Sequence, residues 1–338
     1  MTLARLPVIA LTGYLGAGKT TLLNHLLRAP DSRIGVVVND FGAINVDAAL
    51  VSGQVDEPAS IAGGCLCCLP DAGGLDDALE KLADPRRGLD AIVVEASGIA
   101  EPVALARLLR FSGVDRVRPG GLVDVINAAD HLETVDRGGP PPARYAAATL
   151  TVINKIDQVP ASERAGRLER IAARVRAGNP QAHLVATTNG RIDPLLVFDP
   201  SGRPVAEQQP ELDLTPPGPA EAHPHAHADA VTVSAAGPVD PGRLLRLLEE
   251  PSAGVYRLKG GVRVATAGAP RRHVVNLVGR QIHVTDGAAA VPDALVAIGM
   301  HLDRDAVRTQ LEDALTPADS RPTAAALRRL LRYRRLSA

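Results

Sequence analysis

Gly13-Tyr-Leu-Gly16-Ala17-Gly18-Lys19-Thr20-Thr21 sets three glycines ahead of a lysine and two hydroxyl residues, between an apolar run and a helical pattern. Glycines at this spacing let consecutive backbone N–H groups turn toward phosphate oxygens, and the N-terminus of the following helix adds a favourable dipole. Lys19 is placed to reach the β- and γ-phosphates and to stabilise charge during transfer, so it is a candidate catalytic residue. Thr20 offers a hydroxyl to Mg²⁺, an ion that keeps several waters and takes few protein ligands. Gly13, Gly16, Ala17, Gly18, Lys19, Thr20 and Thr21 form the candidate phosphate-binding set.

Base choice falls to Asn154-Lys155-Ile156-Asp157, directly after the apolar run Leu150 to Ile153. A carboxylate accepts from both the ring N1–H and the exocyclic amine of guanine, and adenine has no such donor pair. Asp157 is therefore expected to read guanine, Asn154 to brace the loop and meet the base, and the Lys155 stem to lie over the ring. Glu95 closes Ile92-Val-Val-Glu95, ahead of Ala96-Ser97-Gly98. It stands where a P-loop protein places its second acidic residue for magnesium or water, and is the other candidate catalytic residue; Gly98 lets the backbone face the γ-phosphate. A glycine-rich turn, a polar turn and a solvated glutamate are the plain alternatives for the three segments. Only four of the 37 basic residues are lysines (Lys19, Lys81, Lys155, Lys259), which weighs against two of them falling at motif positions by chance.

All three cysteines, Cys65, Cys67 and Cys68, lie in the turn Gly63-Gly64-Cys65-Leu66-Cys67-Cys68. Thiolates suit Zn²⁺ and also bind Co²⁺, Ni²⁺ and Cu⁺, and this spacing supplies two or three ligands with a position left for an outside group, as in a transfer site. A buried small-residue turn and a redox thiol pair are the other readings. The cluster is too tight for a disulfide framework spanning a fold, and a reducing compartment fits.

The elements that must hold these residues are legible as short β-branched runs, each followed by a helical pattern: Leu6 to Thr12, Ile34 to Asn39, Leu89 to Glu95, Leu122 to Ile126, Leu150 to Ile153 and His183 to Thr187. Helices are expected near Lys19 to Arg28, Leu75 to Leu82, Val103 to Phe111 and Ser162 to Ala177. The fold class is α/β, a mostly parallel P-loop GTPase sheet with a second, smaller α+β domain. The expected boundaries are 1–200 for the nucleotide domain, 201–229 for a Pro- and His-containing linker, 230–316 for the second domain and 317–338 for an Arg-rich tail.

The 338 residues suffice for two cores, and a hydrophobic content of 46% supports globularity. With 37 basic against 38 acidic residues, no overall field points to DNA or a membrane surface; 2% aromatic content and no Trp disfavour single-stranded RNA. No apolar run reaches the ~18 residues of a membrane span, and a cytoplasmic location is expected. His223, His225 and His227 in the linker read equally as a transient metal-collecting segment or as solvated residues. The tail, with six arginines from Arg321 onward, reads first as a solvated basic helix and second as a docking segment for an acidic partner or RNA. His273, His283 and His301 are expected in core or surface roles.

Together the segments resemble the CobW family of P-loop GTPases, relatives of the urease and hydrogenase metal-insertion GTPases. The resemblance rests on Gly13 to Thr21, Asn39-Asp-Phe-Gly42 with Asn45-Val-Asp47, Gly64 to Cys68, Glu95-Ala-Ser-Gly98 with Pro102, Asn154 to Asp157, Arg257-Leu-Lys259-Gly260 and Ile298-Gly-Met-His-Leu302. It implies a GTPase that uses GTP and Mg²⁺ and binds zinc or cobalt at Cys65, Cys67 and Cys68. Asn39 to Asp47 would be the first switch and Glu95 to Pro102 the second. Two departures stand out: Ala43 replaces a glutamate of many members, leaving Asp40 or Asp47 to substitute, and Asn127 replaces an acidic residue. The expected function is a GTP-hydrolysing metallochaperone delivering a divalent metal, zinc first, to a client metalloprotein, with no assignment of oligomeric state. The alternatives are a cobalt helper for cobalamin synthesis or nitrile hydratase maturation, and a metal-storing or -sensing protein with GTP as a conformational ligand.

Overall fold

A computed structural model describes residues 5–30, 32–39, 59–61, 73–96, 102–199, 228–287 and 291–337. The chain divides at Ser201/Gly202 into two compact units.

The first unit is a seven-stranded parallel sheet in the order β3-β2-β4-β1-β5-β6-β7, built from β1 (Leu6–Gly13), β2 (Ile34–Asn39), β3 (Ala59–Ile61), β4 (Ala91–Glu95), β5 (Val117–Asn127), β6 (Leu150–Asn154) and β7 (His183–Ala186). Strands covered on both faces read as near-continuous apolar runs, which is why β4 is buried at every position and β1 from Val8 onward. The helices are α1 (Lys19–Leu27), α2 (Gly73–Leu82), α3 (Pro102–Arg110), the single turns α4 (His131–Thr134) and α5 (Arg144–Ala147), and α6 (Ala161–Gly178). Val8, Ala10, Ile92, Val94 and Leu122 share one cluster with Leu75 and Leu79 of α2 and Leu105 and Leu109 of α3. Ile126 and Ile153 share another with Tyr145, Ile171 and Val175 of α5 and α6.

Register decides what reaches the C-terminal edge of this sheet. Leu11 pairs with Glu95, Thr12 with Asp124, and Asn127 with Asn154, so the ends of β4, β1, β5 and β6 fall side by side. Strand β5 reaches back to Val117, beyond the run beginning at Leu122. Arg118-Pro119-Gly120-Gly121 has no β character of its own, and pairing with β1 imposes it, with a register shift between Val8 and Ile9. Strand β4 starts at Ala91, two residues after the expected Leu89, and Leu89 and Asp90 lie in the link before it.

The second unit is an antiparallel sheet in the order β11-β10-β9-β12-β8, from β8 (Asp229–Ser234), β9 (Val255–Val264), β10 (Arg271–Val278), β11 (Gln281–Asp286) and β12 (Ala294–Gly299). Its helices are α7 (Pro241–Glu249), α8 (Arg304–Leu315) and α9 (Ala324–Leu336). Alternate residues Val262, Val275, Leu277, Val284 and Leu295 pack with Leu244, Leu248, Val307, Leu311 and Leu330. Helix α9 corrects the reading of the tail as a solvated helix. Leu330 is buried, Tyr333 donates to Glu249 Oε1 at 3.0 Å, Arg329 pairs with Glu249, Arg334 Nη1 donates to Asp286 Oδ1 at 3.0 Å, and Ser337 Oγ accepts from Val284 N at 3.0 Å. Arg328, Arg332 and Arg335 remain exposed on its outer side. His273 is buried and His301 exposed. Among the described residues no helix is long and apolar enough to cross a membrane.

Candidate functional site

The turn between β1 and α1 is built on glycine. Gly13, Gly16 and Gly18 have φ of 151°, 72° and 101°. At Gly18 a Cβ would stand 2.3 Å from Asn154 Nδ2, so the position demands both the left-handed conformation and the missing side chain. Ala17 N donates to Tyr14 O at 3.1 Å and closes the turn. Gly18 caps α1 without a side-chain acceptor, and no acidic residue occupies the first helical turn, which suits an anion at that end. The Lys19 ammonium donates to Gly13 O at 3.0 Å and Tyr14 O at 3.4 Å, holding a positive charge over the turn.

Thr20, one residue into α1, donates its hydroxyl to Glu95 Oε1 at 3.0 Å; Glu95 is 3% exposed at the end of β4. A hydroxyl and a carboxylate brought together beside the turn are hard oxygen donors of the kind Mg²⁺ takes, so the residues present fit that ion. Thr21 is exposed on α1. Gly98 lies outside the described residues, as do Asp40, Asp47, the turn holding Cys65, Cys67 and Cys68, and His223, His225 and His227. Among the described residues no group of three or more His, Cys, Asp or Glu is arranged to hold a metal ion.

Asn154 joins the two motifs. Buried at the end of β6, it donates from Nδ2 to Ala17 O at 3.0 Å and accepts at Oδ1 from Gly190 N at 2.9 Å. The chain then turns through Lys155 at φ 61° and ψ 34° into a 3₁₀ turn, Ile156–Gln158, which leaves Asp157 exposed. A left-handed lysine is uncommon, and here it reverses the chain directly after the strand.

The loop after β7 completes this edge, and no motif announced it. Thr187 N donates to Ile153 O at 2.8 Å, Asn189 and Gly190 have φ of 54° and 64°, and a Cβ on Gly190 would meet Leu22 N and Cα at 2.8 Å. His25 on α1 is 2.8 Å from Ile192 O, a second tie between α1 and this loop. The only sequence signal was the Asn-Gly pair, which marks a turn without saying what it approaches. Asn127, opposite Asn154 in register, accepts from Ala129 N at 3.0 Å and shapes the exit from β5.

Residues 7–183 match the CobW/HypB/UreG nucleotide-binding domain, and residues 228–315 the cobalamin synthesis protein cobW C-terminal domain. The zinc chaperone CobW of Pseudomonas aeruginosa is 32% identical over 360 aligned positions, covering 93% of this chain and 92% of that protein. The zinc chaperone YjiA of Escherichia coli is 30% identical over 203, covering 58% of this chain and 61% of that protein. The crystal structure of Zn(II)-bound YjiA GTPase from E. coli covers 92% of this chain and 99% of that chain, at 22% identity and a TM-score of 0.44. From the matched domains and the near full-length relative, the chain belongs to the CobW/HypB/UreG family of nucleotide-binding proteins.

Proposed function

We propose that this protein binds and hydrolyses GTP and uses that cycle to take up zinc and deliver it to a client metalloprotein. The observation that carries the nucleotide half is the Asn154 amide, which ties the glycine turn at Ala17 to the loop at Gly190 and so assembles phosphate and base segments at one sheet edge. Lys19 supplies the cation for the β- and γ-phosphates, the N–H groups of Gly13 to Thr21 cradle them, and Gly98, outside the described residues, is assigned to the γ-phosphate by its place in the sequence alone. Asp157 reads guanine, with the Lys155 stem against the ring. Thr20 and Glu95 hold Mg²⁺, which when bound offsets charge on the phosphate oxygens. The alternative role for Glu95 is to orient the attacking water in place of holding the ion.

Zinc is cargo in this reading, carried by Cys65, Cys67 and Cys68. Support comes from the thiolate set and from the relatives, both named zinc chaperones. The cysteine turn lies in sequence between Asn39 to Asp47 and Glu95 to Pro102, the segments proposed to sense the γ-phosphate. Order in those segments around γ-phosphate then changes metal affinity.

The test is an anaerobic zinc competition titration, run with GDP and again with a non-hydrolysable GTP analogue. The GTP state is expected to bind zinc more tightly, by about 5- to 150-fold, and reciprocity requires zinc to tighten GTP by the same factor. Equal zinc affinities in the two states would leave the cysteines as a static site. Asp157→Asn is expected to weaken GTP and favour xanthosine triphosphate, and unchanged GTP affinity would assign the base to another loop.

A further inference from the structure

Beneath the glycine turn lies an ion pair that the proposed chemistry does not use. Asp124, on β5 in the middle of the parallel sheet, is completely buried. Arg144, from the short helix α5, grips it with a fork: Nη2 to Oδ1 at 2.9 Å and Nε to Oδ2 at 3.1 Å. The Arg144 side chain is 11% exposed. Thr12 donates its hydroxyl to Asp124 Oδ1 at 2.9 Å, with Val123 O farther off at 3.4 Å. A sheet interior needs no carboxylate, and apolar residues of the same volume pack there without desolvating a charge.

The location of the pair suggests its use. Thr12 immediately precedes Gly13, whose backbone rests on β5 so closely that a Cβ would stand 2.6 Å from Val125 O. Gly13 O in turn accepts from the Lys19 ammonium. Arg144 is itself held: its neighbour Tyr145 donates to Asp136 Oδ2 at 3.0 Å, and Asp136 also takes Arg174 Nε from α6 at 2.8 Å. Buried polar groups whose bonds are all made fix one geometry.

We propose that Arg144 and Asp124 are positioning residues for the phosphate-binding turn, acting through the Thr12 hydroxyl on Gly13 and Lys19. This rests on the GTPase reading and adds to it the residues that set the turn's geometry. A segment outside the nucleotide motifs, α5, thereby controls how tightly phosphate is held.

The test is the dissociation rate and affinity of a fluorescent N-methylanthraniloyl GDP, with GTP turnover, on the full chain as wild type, Thr12→Val, Thr12→Ser and Arg144→Lys. Valine keeps the shape of threonine and removes the bond, serine restores the hydroxyl, and lysine keeps the charge but loses the fork. Thr12→Val is expected to release the nucleotide about tenfold faster and to lower kcat, at temperatures well below its melting point. Thr12→Ser is expected within about twofold of wild type, and Arg144→Lys about threefold or more weaker in affinity. A Thr12→Val protein within about twofold of wild type, or a Thr12→Ser protein as impaired as Thr12→Val, overturns the proposal. If Thr12→Val fails to fold, Arg144→Lys decides on the same measure: affinity within about twofold of wild type overturns it. A wild-type protein that binds no guanine nucleotide would instead sink the GTPase reading.

Discussion

Gly16 and Gly18 sit two residues apart in the same turn, yet they answer to different constraints. Both have positive φ, but a Cβ on Gly16 meets nothing within 4 Å, whereas one on Gly18 collides with Asn154 Nδ2. Gly16→Ala should therefore cost only the left-handed penalty, about 1–2 kcal/mol. Gly18→Ala should cost more and expel the amide that links the two loops. Calorimetric unfolding would check this: a larger loss of stability in Gly18→Ala than in Gly16→Ala is expected, and equal losses would put the linkage in doubt. A second prediction at this scale concerns acid. Burial pushes His183 on β7 down to about 4, while an unfolded chain takes up that proton near 6.5. The native state holds the ring neutral, so its stabilisation is complete above pH 6.5 and is lost as pH falls toward 4. The melting temperature should drop between pH 7 and pH 5, with a shallower slope in His183→Gln. The slope persists in part, because burial also lowers His131 and acts in the same direction. Identical slopes would exclude His183 as a source.

Among the elements, α9 lends itself to a direct test. Its apolar residues Leu327, Leu330 and Tyr333 recur every three positions, and its ion pairs reach Glu249 on α7 and Asp286 on β11. Ending the chain after Ser320 should lower the stability of the second unit by about 2–4 kcal/mol, mostly through Leu330 and its neighbours. Urea unfolding would measure it; an unchanged midpoint would mean the helix contributes nothing. That apolar stripe was present in the sequence, but six arginines over eighteen residues read as a solvated face, and long basic side chains cover apolar surface while keeping their heads in water. Elsewhere the sequence was plainer. β1, α1 and β6 follow from continuous apolar runs meeting Gly, Lys and Asn at their ends, so the strand-turn-helix and the turn after β6 were legible. The first half of β5, the turn at Gly190 and the Asp124–Arg144 pair were not. Each depends on a partner distant in the chain: β1 for Val117 to Gly121, Asn154 for Gly190, and Thr12 for Asp124.

At the scale of the whole chain, the first unit carries two clusters of buried residues and the second its own, and the histidine-bearing stretch falls between the described ends of the two. Asp229 belongs to the second unit, where its carboxylate accepts from Leu302 N at 3.0 Å, so a deletion must stop before it. Removing Glu221 to His227 should leave tight zinc binding unchanged and abolish weaker, acid-sensitive binding, since imidazole binds metal only when neutral. Unchanged total zinc at pH 7.5 would retire a collecting role for His223, His225 and His227. The Asn154 amide carries one more consequence. It holds Ala17 with its nitrogen and Gly190 with its oxygen. On the proposed assignment, a triphosphate with an ill-fitting base disturbs the support of the glycine turn itself. Fidelity would then be enforced at the far end of the ligand, as a shortened residence of the phosphates rather than as a bare refusal of the base.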